Sequence, residues 1–313
     1  MKNAICKKEM QRSIRKKKNA IGMLIFNLML IAGALFGFYM LLNQYTTFTY
    51  RNYSEMSSLS TVIMAVEMFL VLFIVPALTA ATISGEREKQ TLDILFTTSM
   101  SSWEIVWGKL VSSISTLVLY IISGVPVLFI IFSVGGLKVW DVPVCLFYIL
   151  VVAIYIGSIG IFFSALLKRS VAATVCTYGT VIFLTVGTYF LIHVAAMLDA
   201  ESMNLPMNGI LALALLNPFA SITNLISSQC ANGCSILEDL LYRNEEWLWK
   251  VNSQIENRGL SWSDFWYQNV GEFWNKQVGH QLWFVLAIVV QLVMSVILLK
   301  VAAKRLKIKA RER

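Results

Sequence analysis

The sequence predicts an all-α integral membrane protein with six transmembrane helices, and three observations support this fold class. The chain of 313 residues is 57% hydrophobic but only 14% charged, whereas soluble domains carry about 25% charged residues. Its apolar residues form six runs that each approach or exceed the roughly 20 residues needed to cross a bilayer. Its lysines and arginines are concentrated in short segments beside those runs, which is typical of a multi-pass protein.

The predicted spans can be placed directly on the sequence. They are Ile21–Leu42, Leu59–Ile83, Ile105–Val134, Val142–Leu167, Val171–Leu198 and Leu282–Ala303. A seventh apolar stretch, Ile210–Ile226, is shorter and contains Asn217-Pro218. Because proline interrupts a helix, we expect a re-entrant or interfacial element at residues 210–226. The first run lacks a small-residue cleavage site, so we interpret it as a true span rather than a signal peptide.

The distribution of basic residues predicts that both termini are cytoplasmic. With that orientation, the cytoplasmic segments hold 20 of the 26 lysines and arginines, as the positive-inside rule requires. Residues 1–20 are then a basic amphipathic segment on the inner membrane surface, with a disordered basic tail as the alternative. Spans one to five occupy residues 21–198, and span six occupies residues 282–303. Between them, residues 199–281 form a large outer loop, and residues 304–313 are a basic cytoplasmic tail.

The sequence has no pattern typical of a catalytic centre or a cofactor site. It has no Gly-x-x-x-x-Gly-Lys-Ser/Thr motif for nucleotide phosphates, no His-Glu-x-x-His and no metal-spaced cysteine and histidine cluster. No Gly-x-Ser-x-Gly elbow accompanies His193 or His280, which we interpret as interfacial residues. We therefore predict that the chain is not an enzyme and binds no metal. The net charge of +8 indicates contact with anionic membrane lipid rather than with nucleic acid.

The outer loop contains two further features with alternative interpretations. Cys230 and Cys234 are close enough in sequence to form a local disulfide if the outer face is oxidising, and two free thiols are the alternative. Five tryptophans lie among acidic residues in roughly 235–277. Tryptophans in this setting are typical of anchoring at the headgroup level, and a lid or a contact surface is the alternative.

Two polar features within the apolar segments are candidates for a pathway or gate through the membrane. Glu67 lies inside the second span, where an ionisable side chain is costly and usually faces protein or water. A pathway or packing role is one interpretation of Glu67, and a side chain that snorkels outward is the other. The second candidate is Asn217-Pro218-Phe219 in the interrupted apolar stretch.

A charged island between spans two and three is the strongest candidate for a contact with a partner. It begins with four consecutive charged residues: Glu86, Arg87, Glu88 and Lys89. We expect a helix that begins near Glu86, with these charges in its first turn and a stripe of residues on one side beyond them. The stripe consists of Thr91, Leu92, Leu95 and Phe96. It can dock in a groove on a soluble partner or rest on the membrane surface.

The residues Ser101-Ser-Trp-Glu104 match a capping box at the start of the third span. In this motif the hydroxyl of Ser101 accepts a hydrogen bond from the backbone N–H of Glu104. The Glu104 carboxylate in turn accepts one from the N–H of Ser101. The apolar run that follows supports a helix start at this position.

Two neighbouring segments resemble the inner-loop signature of ABC-2-type transporter permeases. They are Ile83-Ser-Gly-Glu-Arg-Glu-Lys-Gln-Thr-Leu-Asp-Ile-Leu-Phe-Thr-Thr-Ser99 and Trp103-Glu-Ile-Val-Trp-Gly-Lys109. The six spans, the basic ends and the Leu216-Asn-Pro-Phe219 element are also similar to that family. The sequence departs from the signature at Gln90, where glycine is common, and at Ser99-Met100, where a proline is often found.

The resemblance implies a function and a set of partners. Residues 84–104 would be the coupling segment, with a coupling helix that docks on a separate cytoplasmic ATPase subunit. Two such ATPases, which bind the ATP and Mg, would serve a pair of permeases, the second being a copy of this chain or a homologue. The implied activity is ATP-driven transport. We expect export across a bacterial-type plasma membrane, and the acidic, aromatic outer loop would suit peptides, drugs or other amphipathic cargo. Movement would pass from Glu86–Phe96 through spans one to three to the Asn217-Pro218 element.

Two other functions are compatible with the residues. One is a non-transport membrane sensor or scaffold that recognises a ligand through its outer Trp-rich region, which the absence of an ATPase partner would favour. The other is an intramembrane hydrolase, which would require His193 or His280 to be essential for a cleavage activity.

Overall fold

The computed structural model describes residues 17–44, 53–91, 101–135, 141–188, 190–191, 215–222 and 276–311. These residues form helices and the turns between them, and no strand occurs among them. Several predictions lie outside the described residues. They concern residues 1–16, Leu92, Leu95, Phe96, His193, Cys230, Cys234 and the Trp-rich part of the outer loop.

Seven α-helices and one π-helix are the main elements of the described part of the chain, which also has a short helical segment at 218–222. They are α1 (Lys17–Gln44), α2 (Tyr53–Thr79), α3 (Ser84–Glu88), α4 (Ser102–Gly135), α5 (Asp141–Leu166), α6 (Ser170–Ile182), the π-helix (Phe183–Gly187) and α7 (Lys276–Arg311). Six segments of the described chain are helical and long and apolar enough to cross a membrane. The predicted fold class and number of spans are therefore confirmed. Helices are expected here, because a helix satisfies its own backbone hydrogen bonds where lipid offers none.

Helix α5 is the central element of the bundle. It packs against α2, α4, α6 and α7, while α1 lies outside it against α2 and α4. Its sequence is apolar on nearly every side, as expected of a helix that is surrounded by others. Tyr148, Ile149 and Ile156 of α5 are fully buried and belong to the largest apolar cluster. The core of the protein is therefore built around the fourth span.

Two glycines of α5 allow the neighbouring helices α2 and α4 to approach it closely. A Cβ atom added at Gly160 would lie 2.1 Å from the Oγ1 atom of Thr79, and one at Gly157 would lie 3.0 Å from a methyl group of Leu110. Without strong hydrophobic attraction between helices in lipid, small residues of this kind permit the close van der Waals contacts that hold spans together. The contact at Thr79 also fixes the end of α2, directly before α3.

The outer faces of α1, α6 and α7 are apolar and exposed. On α6 and its continuation, large side chains follow one another at helical spacing: Val171, Val175, Ile182, Val186 and Phe190. An apolar surface of this length is unusual in a soluble monomer. It is the surface expected of a helix in contact with lipid or with another membrane subunit.

The structure changes the predicted boundaries at both ends of the chain. Residues 17–20 belong to the helix of the first span, although the sequence had assigned them to a separate surface segment. Residues 304–311, predicted as part of a tail, continue α7 to Arg311. A longer helix keeps more backbone groups hydrogen-bonded, and its basic C-terminal residues interact favourably with the negative end of the helix dipole. His280 also falls within α7.

We expect Gly160→Ala to destabilise the protein. The new methyl group would overlap Thr79 and would also lie 3.3 Å from the backbone nitrogen of Ala80, so α2 and α5 would have to separate. Overpacking of this kind costs about 1–3 kcal/mol. Thermal unfolding of the full chain in detergent should show a lower melting temperature.

Gly108→Ala is the matched control, because no atom of the described residues lies within 4 Å of its added Cβ atom. Alanine is also a better helix former than glycine, so this variant should unfold at the wild-type temperature or slightly above it. Equal melting temperatures for the two variants would contradict the close approach at Gly160.

Candidate functional site

The charged island forms a one-turn helix that ends earlier than the sequence predicted. Helix α3 covers Ser84–Glu88 and is closed by two backbone hydrogen bonds. The N–H of Gln90 donates to the carbonyl of Arg87 at 3.1 Å, and the N–H of Thr91 donates to the carbonyl of Glu86 at 2.9 Å. This pair of bonds is the Schellman motif that terminates helices. The prediction of a helix that begins near Glu86 and runs on through Thr91 is therefore wrong.

Gln90 occupies the backbone position that stops α3. Its φ angle is 57°, in the left-handed region that glycine adopts at no steric cost. This is one of the two positions at which the sequence departs from the signature it resembles. The turn that glycine favours is thus retained with glutamine, at a cost of roughly 1–2 kcal/mol.

Glu86 joins α3 to the start of the third span. The Nζ atom of Lys109, on α4, donates to the Oε1 atom of Glu86. The side chains are 14% exposed for Lys109 and 29% exposed for Glu86, so the ion pair is shielded from water on most sides. Sequence pattern alone does not indicate that Lys109 pairs with Glu86, although Lys109 lies in the segment that carries the family resemblance.

Arg87 joins α3 to the end of the fourth span. Its guanidinium donates to the carbonyl of Leu167 at 2.7 Å and to the carbonyl of Ala165 at 3.2 Å. The last carbonyls of a helix have no donor within the helix and carry the negative end of its dipole. Arg87 therefore caps α5 from outside.

Glu88 joins α3 to the start of the fifth span. Its carboxylate accepts hydrogen bonds from the backbone N–H of Ser170 at 2.8 Å and from the hydroxyl of Ser170 at 2.5 Å. Arg169, at the N-cap position of α6, makes no capping bond with its own side chain, so Glu88 supplies the acceptor that the helix start needs. The side-chain hydrogen bond from Ser170, its backbone hydrogen bond and the charge of Arg169 lower the pKa of the exposed Glu88 carboxyl.

A buried serine completes the attachment of α3. The Oγ atom of Ser164, on α5, accepts hydrogen bonds from the N–H of Ile83 at 2.9 Å and from the N–H of Ser84 at 3.0 Å. Both N–H groups belong to the start of a helix, where the backbone offers no acceptor. The start of α3 is thereby fixed to the same span whose end Arg87 caps.

The charged residues of α3 thus bind neighbouring helices, and only Glu88 of the three is exposed. Glu86 and Arg87 are partly buried, whereas Lys89 and Thr91 are exposed. The side-chain hydrogen bonds of α3 reach the third, fourth and fifth spans. Sequence pattern alone cannot tell a charged helix cap from a charged surface.

Both hydrogen bonds of the predicted capping box are present at the start of α4. The N–H of Ser101 donates to the Oε2 atom of Glu104 at 3.0 Å, and the N–H of Glu104 donates to the hydroxyl of Ser101 at 3.3 Å. Their effect is to fix the start of the span that carries Lys109.

In the Asn217-Pro218-Phe219 element, Asn217 and Pro218 are buried and Phe219 is partly buried, and Asn217 holds the element in the bundle. The side-chain oxygen of Asn217 accepts from the N–H of Phe219 at 2.8 Å, which caps a short helical segment at 218–222. Its side-chain nitrogen donates to the hydroxyl of Thr188 at 2.7 Å and to the carbonyl of Thr185 at 3.0 Å. Thr185 belongs to the π-helix, a distortion that disturbs regular backbone pairing and is frequent at functional sites.

Two further helices contact this element. The hydroxyl of Tyr148 on α5 donates to the carbonyl of Pro218 at 3.0 Å. The side-chain nitrogen of Gln291 on α7 donates to the Tyr148 hydroxyl at 3.3 Å and to the carbonyl of Leu215 at 3.4 Å. Sequence pattern indicates the element but neither the π-helix nor the residues that bind the element, since these come from three distant parts of the chain.

Glu67 is fully buried within the bundle. Its side chain is 0% exposed, and among the described residues neither carboxylate oxygen has a hydrogen-bond partner. The interpretation that Glu67 snorkels outward to water is therefore wrong. Glu67 remains a candidate for a role inside the membrane.

We expect Gln90→Gly to stabilise the protein, because glycine adopts the left-handed conformation of residue 90 without steric cost. The expected gain is about 0.5–1 kcal/mol, since the flexibility of glycine in the unfolded chain offsets part of the benefit. Thermal unfolding of the full chain would measure it. Gln90→Ala retains a Cβ atom and is the control; a similar rise for both variants would contradict the explanation.

Comparison with known proteins identifies the family. Residues 3–242 match the family described as ABC-2 family transporter protein. No curated protein matches the chain. The family match covers well over half of the chain and includes α3, the central helix α5 and the Asn217 element. With its six membrane-spanning segments, the chain is a multi-pass membrane protein that belongs to the ABC-2 transporter family.

Proposed function

We propose that the chain is a permease subunit driven by ATP hydrolysis on a separate subunit, and that α3 couples the two. Family membership supports the permease role. The single observation that carries the coupling role is the attachment of α3. Its side chains bind the starts of α4 and α6 and the end of α5. A force applied to α3 would therefore act on three spans at once.

The contacts suggest how movement at α3 could reach the interior. Glu88 holds the first residue of α6, and α6 continues without interruption into the π-helix. The π-helix in turn holds Asn217 through the carbonyl of Thr185. Displacement of α6 along its axis would thus shift the Asn217 element relative to α5 and α7. This route replaces the one through spans one to three.

The docking surface, in our proposal, begins where α3 ends. Lys89, Gln90 and Thr91 are exposed, and the chain continues into the apolar residues Leu92, Leu95 and Phe96. Residues 86–88 would transmit movement, and residues 89–96 would contact the ATPase. This division assigns different roles to the two halves of the charged island.

The remaining parts of the proposal concern orientation, assembly and cargo. Lys168, Arg169 and the basic C-terminal part of α7 accompany α3 in the predicted inner segments, which supports a cytoplasmic position for α3 and both termini. We further propose a pair of permeases with two ATPases in a bacterial-type plasma membrane. The ATPases would supply ATP and Mg binding, and this chain would contribute no catalysis. Export of peptides, drugs or other amphipathic cargo fits the acidic, aromatic residues 199–281.

Purification of the intact complex tests this proposal. The tagged full chain, extracted from its own cells in mild detergent, should bring with it a protein that contains a P-loop. The purified complex should hydrolyse ATP in a vanadate-sensitive manner. A preparation that repeatedly lacks such a protein, although the chain is folded, would contradict the proposal and favour a sensor or scaffold.

Two variants separate transmission from docking. Arg87→Ala should leave association with the ATPase unchanged but reduce permease-dependent stimulation of ATP hydrolysis at least about five-fold, because the end of α5 is released. Lys89→Glu should weaken association about ten-fold, which corresponds to about 1.4 kcal/mol, because it reverses a charge on the exposed surface. Co-purification yield and ATPase rate in liposomes measure the two effects.

Arg87→Lys serves as the matched control for the first variant. Lysine keeps the charge but cannot present the forked donors that reach two carbonyls, so its rate should be intermediate. If Arg87→Ala weakens association as strongly as Lys89→Glu does, then Arg87 contacts the ATPase and the division proposed here is wrong.

A further inference from the structure

Glu67 lies near the middle of α2 and is enclosed by apolar side chains. Its neighbours on that helix include Ile63, Met64 and Val71, which are buried in the main apolar cluster. Its carboxylate group is 0% exposed and, within the described residues, accepts no hydrogen bond. An ionised carboxylate in such surroundings costs several kcal/mol, whereas a protonated carboxyl group costs far less.

Within the described residues, the helices that pack on α2 bring no cation to the depth of Glu67. On α4, Lys109 is engaged with Glu86 at the α3 end of the bundle. About 18 Å of helix separates Glu67 from Thr79, the end of α2 before α3. On α1, Gly33 packs against Val66, the residue before Glu67. Lys17 lies about 24 Å from Gly33 along the axis of α1. Arg169 on α6 and Glu104 on α4 belong to the same end as α3.

Apart from Glu67, the titratable groups that these helices place in the interior are phenols and thiols, which do not carry a positive charge in either protonation state. The phenols are Tyr120, Tyr148, Tyr155 and Tyr178, and the thiols are Cys145 and Cys176. Two of the phenols donate elsewhere, Tyr148 to the carbonyl of Pro218 and Tyr178 to the carbonyl of Phe73. The inward-facing polar group of α1 is Asn27, which donates to Met23 and Ser123. None of these groups provides a positive charge to balance an ionised Glu67.

Glu67 also lies at the depth of the π-helix. The hydroxyl of Tyr178 donates to the carbonyl of Phe73 at 2.7 Å, which fixes α6 against α2. Glu67 lies about 9 Å from Phe73, toward the N-terminus of α2. The π-helix begins about 7.5 Å from Tyr178, toward the C-terminus of α6, and the two displacements point in the same direction. The carboxyl group is therefore in the layer of the bundle that also contains Thr185.

We propose that Glu67 is a proton-binding site, with a carboxyl group that is protonated and shielded from water in this conformation. Its ligand is the proton itself. A neutral Glu67 explains how α2 can bury the group without a counter-ion. The inference concerns the buried carboxyl group alone and holds whether or not the proposed transport function is correct.

Dicyclohexylcarbodiimide, an apolar reagent that partitions into membranes, tests this proposal on the wild-type chain. A protonated carboxyl group transfers its proton to a carbodiimide nitrogen, and the carboxylate oxygen then adds to the central carbon. The product rearranges to a stable N-acylurea, so no atom is lost. We expect mass spectrometry of membranes containing the full chain and its partners to find the adduct on Glu67 at mildly acidic pH.

The extent of labelling should fall as pH rises, by about ten-fold per unit once the carboxyl group ionises. Glu88 is the internal control, because it is exposed and its lowered pKa keeps it ionised; it should carry little adduct. Glu67→Gln should lose the adduct entirely. Two results would overturn the proposal: no adduct on Glu67 at any pH, or an adduct that sodium chloride suppresses while choline chloride does not, which would identify a metal-cation site.

Discussion

Unsatisfied backbone groups at helix ends are the constraint on which this structure depends. A bundle of spans buries its helix sides easily, but every helix end leaves N–H or carbonyl groups without partners. In this protein the side chains of α3 supply several of those partners. Arg87 binds the carbonyls at the end of α5, and Glu88 binds the N–H at the start of α6. The same need explains the Ser164 contact at the start of α3 itself.

A second group of backbone partners lies within the bundle. Asn217 caps the 218–222 segment with its side-chain oxygen and uses its nitrogen for the carbonyl of Thr185. The hydroxyl of Tyr148 donates a hydrogen bond to the carbonyl of Pro218. An interrupted segment can persist at this depth because protein groups replace the water that is absent. These polar contacts are few and specific, which makes the element a defined position in the core rather than a loose loop.

Features that depend on local composition could be predicted from the sequence. Features that depend on contacts between residues far apart in the chain could not. Six spans followed from apolar length, and the capping box of Ser101 and Glu104 followed from spacing alone. By contrast, the extent of α3 depends on the left-handed backbone at Gln90, a residue that gives little sign of it. The partners of Glu86 and Arg87 come from α4 and α5, and pattern offers no means of pairing them. The π-helix likewise has no recognisable sequence signal.

The consecutive order of Glu86, Arg87 and Glu88 has a geometric consequence. Neighbouring residues on an α-helix point about 100° apart, so α3 holds three spans from three directions around one short axis. A translation of α3 would displace all three helix ends alike, whereas a rotation would displace them in different directions. The angular positions of the three side chains around the axis of α3 are therefore as important as their charges. One residue inserted before Glu86 would turn every side chain by the same angle and misalign all three contacts together.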